Sequence, residues 1–76
     1  MNKVSVKILD KINSKETSND YYFKAKDAAL IFVNDKVEAF ENQYGKIINS
    51  VILDDYYLFK ETETHEMLLS IKWSNK

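Results

Sequence analysis

Seventy-six residues with one glycine, no proline and no cysteine bound this protein to a single small domain, 1–76, whose core can call on neither disulfides nor thiolate metal sites. Eleven lysines, no arginine and twelve acidic residues leave a formal net charge of −1, a balance that lends little support to general phosphate binding. No apolar run approaches the roughly 20 residues needed to cross a bilayer, and no basic leader runs into a cleavage site, so a soluble, cytoplasmic chain is expected.

The first element is a strand. In VSVKIL, Val4, Val6 and Ile8 fall on one side and Ser5, Lys7 and Leu9 on the other, a half-buried alternation that extends toward Ile12. Asn13 to Asp20 holds no apolar residue and reads as a solvated connection or hairpin loop. Tyr21, Tyr22 and Phe23 predict a short second strand.

From Lys26 to Tyr44 the period changes. Ala29, Phe32, Val33, Val37, Phe40 and Tyr44 recur at three- and four-residue spacings, which predicts a helix with one broad apolar face. Ala25 is a poor cap for its start, and Gly45 supplies the stop. IINSVIL then resumes extended character, with Val51 and Leu53 on one side and Ile52 on the other. Asp54 and Asp55 suit a turn or bulge, Tyr56 to Lys60 is extended, and ETETHE separates it from a last strand in which Met67, Leu69, Ile71 and Trp73 alternate. The expected class is α+β, one amphipathic helix on one face of a small antiparallel sheet in the order ββαββ(β), with a short polar tail at 74–76.

Candidates for chemistry are few. His65, the single histidine, lacks a second ligand at metal-binding spacing and is expected to be a surface turn residue. Asp54 and Asp55 would diverge in a strand, and a turn accounts for them without catalysis. No catalytic residue, metal or cofactor is expected, and no enzymatic activity.

Contact surfaces carry more information. With Phe59 and Tyr57 turned inward, Tyr56 and Leu58 face outward, joined by Tyr22 and Leu68, and by Leu9 and Ile52, on the side of the sheet away from the helix. On the helix, Ile31 lies opposite the buried face beside Asn34, Asp35 and Glu38, a second candidate contact. Between Asp54 and Glu66 five acids face one lysine, so a charge-steered partner would approach with positive charge. The expected function is a non-enzymatic interaction or regulatory domain that masks or organises a protein partner, or self-associates. The alternative is weak nucleic-acid association through Lys3, Lys7 and Lys11, a row that equally serves to guard a strand edge.

Overall fold

A computed structural model describes residues 1–53 and 56–74, which form one helix and one five-stranded antiparallel sheet. In chain order these are β1 (Asn2–Asp10), β2 (Lys15–Phe23), α1 (Lys26–Tyr44), β3 (Asn49–Leu53), β4 (Tyr57–Glu61) and β5 (His65–Lys72). The sheet order is β2-β1-β5-β4-β3, so the last strand sits at the centre and β2 and β3 form the two edges. The α+β expectation holds, with three strands after the helix. Asp54 and Asp55 lie outside the described residues, as do the last two residues of the tail.

The register sorts every side chain. Val4 pairs with Ile71 and Val6 with Leu69, while Leu58 lies opposite Leu69 on the other flank of β5. With Met67, these residues form the layer that meets Ala29, Val33 and Phe40 from the helix, and all of them are buried. The helix packs on β1, β2 and β5. Its Phe32 ring meets Tyr21 and Phe23 of β2 at 4.6 and 5.1 Å between centroids, and Lys36 extends its ammonium over Tyr21 and Phe32.

The helix spans the expected residues and ends at Gly45. Its φ of 101° with ψ of −168° is a conformation open to glycine and strained for L side chains, and the Gly45 N–H donates to the Glu41 carbonyl. Ala25 provides no side-chain cap, in keeping with the sequence.

Three expectations are corrected here. Residues 15–20 are strand rather than loop: the β1–β2 connection is confined to residues 11–14, where Asp10 Oδ1 accepts from the backbone N–H groups of Ile12 and Asn13, and Ser14 takes a positive φ of 56°. The early half of β2 is polar because it is a sheet edge whose residues 15–20 are all exposed; extended backbone there needs pairing to β1, not apolar side chains. Second, Leu58 faces the helix side and is 4% exposed, so its neighbours Tyr57 and Phe59 are the ones that face away. Third, Tyr56 adopts a left-handed φ of 61° ahead of β4 and packs its ring edge-on against Trp73 at 6.4 Å, against the core rather than on the opposite face.

Candidate interaction surface

Across the sheet from the helix, cross-strand pairing lines up side chains in rows. The first runs Glu16, Leu9, Glu66, Glu61, Asn49. The second runs Ser18, Lys7, Leu68, Phe59, Val51, and the third Asp20, Ser5, Ser70, Tyr57, Leu53. A fourth, shorter row is Tyr22, Lys3, Lys72. Because side chains alternate along every strand, this face is the complement of the core set and no second layer covers it among the described residues.

The rows show two gradients. Along the strands, charge passes from the acids of the first row to Lys3 and Lys72 in the fourth. Across them, the β2 side is polar and the β4 and β3 side is apolar. Leu68 sits where the gradients meet. It lines one depression with Lys7, Leu9, Glu16, Phe59 and Glu66, and a second with Ser5, Lys7, Ser18, Tyr57 and Ser70. Val51, Leu53 and Tyr57 beside it are well exposed. Apolar groups collected in this way leave an uncovered apolar patch, whereas the same groups scattered would need no explanation.

Of the residues expected at an interface, Tyr22 and Leu68 stand on this face, Tyr22 at the polar corner and Leu68 in the apolar half. Leu58 and Tyr56 do not. Ile52 is on the helix side but remains 65% exposed, because it lies on the outermost strand, beyond the strands on which the helix packs. Ile31, Asp35 and Glu38 are exposed together on the outer surface of the helix, as their spacing requires, and are separate from the sheet surface. Val51, Leu53, Tyr57 and Phe59 were not anticipated as a group. Their signal was IINSVIL itself, a strand apolar on both alternations, which a helix on one face cannot cover completely.

The three lysines of the nucleic-acid alternative diverge in role. Lys11 is drawn inward: its ammonium donates to Glu61 Oε2 at 2.5 Å and to the Thr62 carbonyl at 2.8 Å. Lys7 lies 3.8 Å from Glu16, an exposed pair of small energetic value. Lys3 stands beside Lys72 and Tyr22.

Among the described residues, Glu61 and Asp10 are held below their ordinary pKa. Glu61 is lowered first by its hydrogen bond from Lys11, then by one from Asn49 Nδ2 to Oε1 at 2.8 Å, and by the lysine charge. Asp10 is lowered mainly by the Asn13 side chain and backbone, with smaller contributions from Ile12 and His65. Glu61 thereby fastens β4 to both the β1–β2 turn and the start of β3. A depressed folded-state pKa contributes stability that is complete above the unfolded value, about 4 for carboxylates, and is lost as pH falls through the folded value. Thermal melts across acid pH should therefore show Glu61→Gln less stable than the parent at neutrality, with the gap closing below about pH 4.

His65 is no surface turn residue. It opens β5, and its ring stacks on Tyr44 with centroids 3.6 Å apart and planes at 17°. Nδ1 lies 2.7 Å from Thr64 Oγ1, and Nε2 lies 3.9 Å from Asp10 Oδ2. The turn that places it is tight: Thr62 N–H donates to the His65 carbonyl, and His65 N–H donates to Thr62 Oγ1, with Thr62 fully buried. This group ties the end of α1 to the β4–β5 turn, and its contacts are structural in kind.

Among the described residues, no helix is long and apolar enough to cross a membrane, and no three His, Asp or Glu side chains gather as a metal site. Compared with protein-family models, curated proteins and solved structures, the chain matches none of them.

Proposed function

We propose that this protein is a non-enzymatic interaction domain that masks or organises a protein partner, and that the partner seats on the apolar half of the open sheet face. The observation that carries this reading is the continuous run Leu68, Phe59, Val51, with Leu9, Tyr57 and Leu53 around it, on the side of the sheet opposite the helix. Removing such groups from water supplies about 25 cal/mol per Å², the main favourable contribution to association. At one end Glu16 and Glu61 are paired with Lys7 and Lys11, which leaves Glu66 to favour a basic group on the partner's rim, and this sets orientation and encounter rate more than affinity. Ile31, Asp35 and Glu38 form a smaller second contact on the helix.

The test is a binding titration of a captured protein partner against folded variants of the full chain. Phe59→Ser and Leu68→Ser should each weaken binding by about tenfold or more, the loss expected when a central apolar contact is removed, while Ile31→Ser changes it little. A loss confined to Ile31→Ser, Asp35→Asn and Glu38→Gln would move the site to the helix and overturn the sheet reading. The runner-up is weak association with nucleic acid at the corner where Tyr22 stands beside Lys3 and Lys72, a pairing of aromatic and cation suited to a single strand. Lys7 and Lys11, already engaged with Glu16 and Glu61, contribute less to that reading. Retention of single-stranded nucleic acid that falls steeply with salt and with Lys3→Ala and Lys72→Ala would favour it.

A further inference from the structure

The two sheet edges are built differently. Along β2, Lys15, Glu16 and Asp20 place both signs of charge on the rim, a common guard against indiscriminate strand pairing. β3 has no such guard. From Asn49 through Leu53 it carries no charge, every residue is exposed, and it is apolar on both faces, with Val51 and Leu53 on one and Ile52 on the other. An edge strand also leaves a row of backbone N–H and C=O groups without sheet partners, a template for another strand.

We propose that two copies of this chain pair through β3, antiparallel about a two-fold axis at Val51, joining their five-stranded sheets into one. This goes beyond the open-face reading, since backbone pairing along β3 leaves Leu9, Phe59 and Leu68 uncovered.

Three observations select a second copy as the occupant. The strand is self-complementary: about that axis Val51 meets its own counterpart, Ser50 meets Ile52 and Asn49 meets Leu53, so no charge is opposed or buried. The row Leu68, Phe59, Val51 runs straight to the edge, so the axis extends it into six consecutive apolar side chains with Lys7 at each outer end. Finally, the open face has an acidic end, where Glu66 stands beside the lysine-paired Glu16 and Glu61, and a basic end, with Lys3 and Lys72. Antiparallel pairing puts the acidic end of one copy on the same side as the basic end of the other, whereas a parallel arrangement would align like ends. Five paired residues fall short of the roughly 800 Å² per partner of a standard interface, so the dimer is a weak one.

Sedimentation velocity of the full chain from about 5 to 500 μM should show a monomer that becomes a dimer. Val51→Lys should weaken association by about tenfold or more with an unchanged far-UV spectrum. Ile52→Lys should do the same, and its side chain is already 65% exposed, so the monomer accommodates the charge. Because the chain has no cysteine, Val51→Cys reports the axis directly: oxidation should yield a covalent dimer, and Lys15→Cys on the other edge should not. A parent that stays monomeric throughout overturns the proposal. So does a dimer that survives both lysine variants or dissolves on Leu68→Ser alone, which would place the contact on the face instead of the edge.

Discussion

Replacing Leu69 with alanine should cost about 2–5 kcal/mol of unfolding free energy, a large part of the roughly 4–11 kcal/mol that a chain of this length can be expected to hold. Leu69 is fully buried on the central strand, with Val6 on one flank and Leu58 on the other. Both neighbours are fixed by strand pairing and the helix lies above them, so the site has little room to collapse and most of the cavity persists. Leu68, one residue earlier, points to the open face and is only partly covered. Leu68→Ala should cost about 1 kcal/mol or less, because its methyls stay near water in both states. Denaturant titrations of the two variants check the difference. Near-equal losses would mean that the face bearing Leu68 is covered and the proposed contact surface is gone.

Phe40→Ala should be as damaging, at about 3–5 kcal/mol. The ring is 3% exposed near the end of α1, and its edge meets Tyr44 at 5.3 Å and 66°. Tyr44 in turn stacks on His65, so removing Phe40 empties core volume and loosens the support of a second contact. Thermal unfolding should fall by about 10 °C or more, while Phe40→Leu, which keeps most of the volume, should lose less than half as much. A further readout follows from the stack. The His65 ring protons lie in the shielding zone of Tyr44, and their NMR shifts should move toward random-coil values in Phe40→Ala at temperatures where the variant is still folded. Unmoved shifts would show that the Tyr44–His65 pair stands without Phe40.

The helix and the two inner strands β1 and β5 were legible in the sequence because their periods are clean. Lys26–Tyr44 has both a broad apolar stripe and a glycine stop, and the alternation of Met67, Leu69, Ile71 and Trp73 admits one facing only. The β4 facing was misread because aromatic residues were assigned to the core by type. The turn carried the correcting information: with Thr62 and His65 bonded across Glu63 and Thr64, counting back puts Leu58 opposite Leu69 and Phe59 opposite Leu68. Two further features left no pattern in one dimension. β2 is extended despite its polarity because a long partner strand supplies its hydrogen bonds, and His65 is sheltered by Tyr44, twenty-one residues earlier, which no local spacing reveals.

The central placement of β5 governs when this fold can exist. A ribosome delivers the β1–β2 hairpin, the helix and the β3–β4 pair before the strand that must slot between the two groups, so assembly of the sheet waits for β5. Such sequence-distant pairing slows the search, and a nascent chain meanwhile carries an uncharged, adhesive NSVIL segment. Sensitivity to loss of residues 65–72 follows from this arrangement, since their removal parts the sheet into two separate strand pairs.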